Sequence, residues 1–205
     1  MNWFSKILTH RKKPAVDDMK YLIVGLGNIG SEYTNTRHNI GFDILNVLAD
    51  KEDLNFEERR YGSVTNYRFK GRQFILLKPN TFMNLSGKSV NYWLKNEKIP
   101  LDRLLILVDD IALPFGTLRI KPKGSDAGHN GLKNIQDVMG HNNYSRLRFG
   151  IGDDFPRGRQ VEYVLGEWSQ EEKSALKERI DVAIEMIKSF GTLGLQQTMT
   201  NFNNK

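Results

Sequence analysis

The chain has 205 residues, no cysteine and a net charge of +6 from 30 basic and 24 acidic side chains. That length sets one domain with room for a short appendage, and a hydrophobic fraction of 39% supports an ordinary core. The lack of cysteine excludes disulfides, thiolate metal sites and a cysteine nucleophile and fits a reducing compartment, and no apolar run approaches the ~20 residues of a membrane span.

Half of the net charge lies in the first 20 residues, where Lys6, Arg11, Lys12, Lys13 and Lys20 face Asp17 and Asp18. Residues 1–18 read as an N-terminal extension, disordered or loosely attached. Trp3, Phe4, Ile7 and Leu8 are too short an apolar stretch for a secretory signal, and no small-residue cleavage site follows. Residues 19–205 are expected to form a single domain. The other half of the charge is spread over it, so an anion site has to be local.

Residues 21–24 are the first strand, and a helix is expected over 38–51, with Ile40, Ile44, Leu45 and Leu48 at helical spacing. Residues 61–70 and 72–78 read as a hairpin turning at Gly71. A helix follows from about Ser86, with Val90, Trp93 and Leu94 on one face and Ser86 as its cap. The run LLILV at 104–108 is continuous and apolar, as a strand buried on both faces should be. Residues 117–121 form another short strand, and 121–131 (KPKGSDAGHNG) a long polar loop before a helix over 132–139. Basic and apolar residues alternate over 146–151, and 161–165 read as a last short strand. Ser169 and Glu172 make a capping box for a final helix, with Leu176, Ile180, Ala183, Ile184 and Ile187 on its apolar face. The polar tail, 198–205, is expected to fray. Strands alternating with helices imply a three-layer α/β/α domain on a mixed, largely parallel sheet, the hairpin adding an antiparallel part.

Gly25, Gly27 and Gly30 spell G-x-G-x-x-G after the first strand, with Asp50 at roughly the distance of a ribose-binding acid. The mechanism behind that motif needs a helix opening within the glycines, to hold the pyrophosphate, and an acid ending the second strand. Here helical spacing begins only near Ile40, and Asp50 falls at a helix end. The glycines instead suggest a sharp turn and close approach to a ligand.

Ligands of open α/β sheets bind beyond the carboxyl ends of the strands. Asn28, Asn80, Asn84, Asp109 and Asp110 all follow strands, and His38 and His129-Asn130 open helices. A histidine beside a carboxylate is a general-base arrangement, the acid fixing the tautomer and stabilising the imidazolium. His38 with Asp109 is the candidate pair. No G-x-S-x-G supplies a serine nucleophile, so the base would act on water. His38 and His129 lack the spacing of a metal site. Each of these residues taken alone is also compatible with a helix cap, a turn or a solvated surface, and Trp93 and Trp168 with core or rim packing.

Taken together, the blocks VGLGN-x-G-x-x-Y-x-x-TRHN-x-G, K-P-x-TFMN-x-SG, DD-x-x-LP-x-G, GHNGL-K-x-I, R-L-R-x-GIG and VLG resemble the bacterial-type peptidyl-tRNA hydrolases, in that family's order, from about residue 19 to 201. The resemblance implies an enzyme that cleaves the ester between a peptide and the 3′ ribose of tRNA and so recycles tRNA in the cytoplasm. It would meet the acceptor stem and 3′ CCA end as a monomer, without cofactor, metal, membrane or obligate protein partner. It also implies roles: His38 as the catalytic base, Asp109 as the acid that holds it, and Asn28 as the residue that distinguishes blocked from free aminoacyl ends. Tyr33, Phe82, Asn84 and Asn130 would contact the substrate's end, and Met83 would wall the pocket. Lys121, Lys123, Arg146 and Arg148, with Arg157 and Arg159 less directly, would face tRNA phosphates. Ala112 departs from the resemblance, because a second acid is common there; the loop's own bonding rather than activity is expected to change. An RNA-binding module without catalysis and a dinucleotide enzyme are the competing readings.

Overall fold

The computed structural model describes residues 19–203; the expected N-terminal extension over 1–18 lies outside the described residues. Seven strands among them form one sheet: β1 (Lys20–Gly25), β2 (Glu57–Arg59), β3 (Gly62–Phe69), β4 (Arg72–Pro79), β5 (Leu104–Asp110), β6 (Leu118–Lys121) and β7 (Ser145–Gly150), in the order β2-β3-β4-β1-β5-β7-β6. The four central strands, β4, β1, β5 and β7, are parallel. The edges are antiparallel, through β2–β3–β4 on one side and β6 on the other. All four parallel strands therefore end on one rim.

Alternation along β5 explains the layers. Leu105 and Leu107 point into the core beneath α1 (Ile40–Lys51) and α5 (Gln170–Leu193), whereas Leu104, Ile106 and Val108 point beneath α2 (Ser86–Asn96) and α3 (Asn130–Met139). A strand between two helical layers has to be apolar on both faces, and this one is fully buried over LLILV. The Ser169–Glu172 capping box starts α5 as expected.

Four expectations are corrected. Residues 161–165 are not a strand: α4 (Gln160–Val164) is a short helix. The apolar, β-branched composition fitted either state, and contacts from afar select the helix. The Arg37 guanidinium donates to the carbonyls of Tyr163 and Glu167, and the Arg37 amide to that of Gly166. The tail does not fray within the described residues. It forms α6 (Leu195–Phe202), with Thr198 buried against Ser189 through a 2.8 Å hydroxyl bond. Asn203 then pairs through both amide atoms with the backbone of Ile120 on edge strand β6. Ser86 is not a cap but the first residue of α2, its hydroxyl donating to the Met83 carbonyl.

The fourth correction concerns Gly25 and Gly27, expected to make room for a ligand; the sharp turn also expected is found, at Gly30. A Cβ on Gly25 would lie 2.2 Å from the Gly41 carbonyl oxygen, and one on Gly27 2.7 Å from the Phe42 ring. Both serve close packing of α1 against the end of β1, which leaves no opening for a pyrophosphate. Gly30, at φ +115, makes the turn. The next residues, Ser31–Tyr33 and Arg37–Asn39, are single 3₁₀ turns, and the α-helix starts only at Ile40.

Candidate active site

The rim brings together residues that the chain holds far apart. Asp109 is the penultimate residue of β5 and is buried. His38 sits in the 3₁₀ turn that leads into α1, and its Nδ1 lies 3.0 and 2.9 Å from the two Asp109 carboxylate oxygens. Nδ1–H therefore donates to the carboxylate and the lone pair is left on Nε2, which has no partner among the described residues and is not sealed by them. Burial, the largest single influence, pushes the imidazole pKa down. The Asp109 charge and hydrogen bond together outweigh it, and the net shift is upward. For Asp109 burial again acts first, favouring the neutral acid. The two imidazoles nevertheless hold its carboxyl well below the ordinary range, so it stays ionised.

The second imidazole is His129, whose role sequence reasoning missed. Its Nδ1 caps α3, accepting from the Gly131 amide at 3.1 Å and the Leu132 amide at 3.3 Å. The proton must then be on Nε2, which lies 3.0 Å from Asp109 Oδ1. The cap fixes the tautomer, and the tautomer points a donor at the acid. The two rings lie 4.8 Å apart. One signal was present: histidine is an unusual N-cap, where Asn, Asp and Ser are preferred, yet here it precedes an asparagine that could have served.

The ligating atoms of His38, Asp109 and His129 lie within 4.8 Å of one another, close enough to hold a metal ion. The donor set fits poorly. The nitrogens that face Asp109, His38 Nδ1 and His129 Nε2, both carry the proton they donate, so a cation there would cost Asp109 both donors and His129 its cap.

Asn28 is fixed from two sides. Its amide donates to Asn39 Oδ1 at 2.8 Å, and its carbonyl accepts from Asn39 Nδ2 at 3.0 Å. Its side-chain Oδ1 accepts from the Met83 amide at 2.8 Å, which turns Nδ2 away as a free donor. Met83 is buried, while Phe82, Asn84 and Asn130 are exposed on the rim and Tyr33 is half-buried nearby. The Gly87 amide donates to Asn134 Oδ1, which ties the start of α2, just after the turn carrying Asn84, to α3. Ile29, Phe82, Leu85 and Val161 are exposed apolar residues on loops or α4 at this end of the sheet. A cleft of about 80 Å³ beside His38 and Asp109, roofed by Gln160, Val161 and Val164, has room for water. A hollow of about 490 Å³ lies elsewhere, on residues of β2–β4 and α2, and contains no histidine.

The basic residues divide. Lys121 and Lys123 are exposed. Arg148 pairs through Nε with Asp110, whose other oxygen accepts from the Ala112 amide. Arg146 is buried, donating to the Ser125 and Asn142 carbonyls with its guanidinium 4.6 Å from the Tyr144 ring. It braces the 121–131 loop, with both Nη atoms donating to backbone carbonyls.

The sequence model of the peptidyl-tRNA hydrolase family matches residues 22–205. The chain is 62% identical over 187 residues to a peptidyl-tRNA hydrolase of Parabacteroides distasonis, covering 91% of this chain and 100% of that one. It is 60% identical over 185 residues to that of Porphyromonas gingivalis, covering 90% and 100%. The crystal structure of peptidyl-tRNA hydrolase from Acinetobacter baumannii superposes with a TM-score of 0.84 at 36% identity, covering 91% of this chain and 95% of that one.

Proposed function

This chain belongs to the peptidyl-tRNA hydrolase family, and from that premise we propose how its own residues carry out the reaction. It is a hydrolase of the ester bond of peptidyl-tRNA. His38 Nε2 takes the proton from a water molecule in the cleft as its oxygen attacks the ester carbonyl; the tetrahedral intermediate then breaks its bond to the 3′ ribose oxygen, which takes that proton back from the imidazolium, leaving a free peptide acid and a 3′ hydroxyl. Asp109 keeps His38 in the Nδ1–H tautomer and stabilises the imidazolium as it forms. An ester has a good leaving group, so activated water suffices without a covalent intermediate or a metal.

Asn28 Nδ2, aimed by the Met83 amide, serves as donor to the oxyanion or to the carbonyl of a blocked amino end; such a donor is worth about 3 kcal/mol. Asn84, Asn130, Tyr33 and Phe82 hold the substrate's end against Met83. Lys121 and Lys123, with the solvent side of Arg148, meet tRNA phosphates near the acceptor stem and CCA end, which makes binding salt-dependent. Arg146 shapes the loop that carries this side. Residues 19–205 are the hydrolase domain, acting as a monomer in the cytoplasm, where peptidyl-tRNA arises. No helix among the described residues is long and apolar enough to cross a membrane.

The observation that carries the reading is a buried imidazole held by an ionised carboxylate, with its other nitrogen facing a water-sized cleft. His38→Ala is expected to lower turnover of N-acetyl-aminoacyl-tRNA by about 10²–10⁴-fold, with tRNA binding retained. Near-normal turnover in that variant would refute the assignment of the base.

A further inference from the structure

The turn between β2 and β3 carries Arg60 and Tyr61 at the edge of the sheet opposite β6 and its Lys121. Gly62 pairs with Pro79, at the carboxyl end of β4. Tyr61 has φ +64, a conformation that a bulky side chain rarely holds. Its carbonyl accepts from the Asn80 amide and the Ser89 hydroxyl, which pins the turn to β4 and α2. Lys88, Tyr92 and Lys95, at i, i+4 and i+7 of α2, stand on one helix face beside it. The Arg60 guanidinium lies 5.0 Å from the Tyr61 ring and 5.3 Å from the Tyr92 ring, and Lys88 Nζ lies 4.9 Å from that of Tyr61.

Together they line a shallow hollow of about 460 Å³ that contains no carboxylate. Arg59, Lys20 and Lys51 each have an acidic partner. Among the described residues, Arg60, Lys88 and Lys95 have none. Three unneutralised cations held beside two tyrosines make an anion receptor. Cations already cover the ring faces that a stacking base would need.

The distance to the ester identifies the anion. From Asp109 on β5 to the β3 flank is three interstrand steps, about 14 Å. An extended peptide covers roughly 3.3–3.6 Å per residue, which brings its fourth or fifth residue from the ester to the hollow. Exposed Phe82 and Leu85 follow the carboxyl end of β4, a strand between the two. The substrate's two arms diverge from the ester, and the proposal above gives the tRNA arm to the other edge of the sheet, where β6 lies.

Resting on the hydrolase reading above, we propose that this hollow is a subsite for acidic side chains of the peptide arm, four to five residues from the ester. Peptide length and charge then modulate turnover.

The test compares N-acetyl-aminoacyl-tRNA with six-residue peptidyl-tRNAs carrying Glu, Gln or Lys at the fourth and fifth positions. The wild-type enzyme is expected to favour Glu over Gln by about 3–10-fold in kcat/KM, mainly through KM, with Lys lowest. Arg60→Gln/Lys88→Gln/Lys95→Gln should erase that order and leave the one-residue substrate unchanged. Lys95→Glu alone, on an exposed helix position, should weaken the Glu preference and serves if the triple variant folds poorly. Equal rates for the three peptides in wild type would overturn the subsite. So would an equal loss on every substrate with a shallower salt dependence, which would give the hollow to tRNA. A wild-type enzyme inactive on the one-residue substrate would overturn the hydrolase reading, and the subsite with it.

Discussion

Asp109→Asn changes almost no volume but asks one amide to serve two imidazoles that both donate to the carboxylate. An amide has one oxygen to accept and one nitrogen to donate. His129 cannot change tautomer cheaply, because its Nδ1 accepts from two backbone amides at the start of α3. Placing a proton there would set N–H against N–H, at about 1–2 kcal/mol for each orphaned donor. The oxygen of the introduced amide therefore turns to His129, and its NH₂ faces His38 Nδ1. His38 is driven to the Nε2–H tautomer, which cannot accept a proton from water. Reaching the productive tautomer then means breaking the α3 cap, about 2–4 kcal/mol, or roughly 30–800-fold in rate. Losing the charge that stabilises the imidazolium adds about another tenfold, for a total of roughly 300–8,000-fold, approaching the wrong-tautomer effect in serine-protease triads. The assay is single-turnover cleavage of N-acetyl-aminoacyl-tRNA against pH, with circular dichroism to confirm folding. The acid limb should also move to lower pH, because Asp109 is what raises the His38 pKa against burial and the base works only when neutral. A variant within tenfold of wild type, with its acid limb unmoved, would refute this account of the tautomers.

Two stability predictions come from other parts of the molecule. Burial pushes the Asp43 carboxyl up to about 7, only partly opposed by the Lys78 charge, against an ordinary value near 3.9. Between those values the folded state keeps a proton that the unfolded chain has released, so stability falls as pH rises from about 4 to about 7. Asp43→Asn should therefore stabilise the protein by on the order of 2 kcal/mol in urea melts at pH 8 and by little at pH 4; an equal gain at both would contradict it. Asn203→Ala removes two hydrogen bonds to the Ile120 backbone and should cost about 1–2 kcal/mol, some 2–8 °C in Tm, with faster amide exchange in β6. Unchanged exchange there would mean that α6 does not hold the edge strand.

Local pattern alone was enough for much of this protein. LLILV reads as a strand between two helical layers, because a run apolar at every position needs cover on both faces. Ser169 and Glu172 start a helix through contacts three residues apart, and the polar residues at strand ends mark the rim wherever those strands lie. What local pattern could not decide depended on partners that arrive from elsewhere in the chain. A five-residue helix such as α4 is too short to hold itself, and it exists because Arg37 takes up the carbonyls at its end from more than 120 residues away. The tail becomes α6 only where Ser189 and Ile120 meet it. Arg146 looked like a surface cation until the 121–131 loop closed over it. His129 became a second donor to Asp109 only when the start of α3 was placed against the end of β5. Residue type and spacing set which groups are available, but a tautomer, a cap or a buried charge is defined by the atom opposite, and tertiary packing alone supplies that atom.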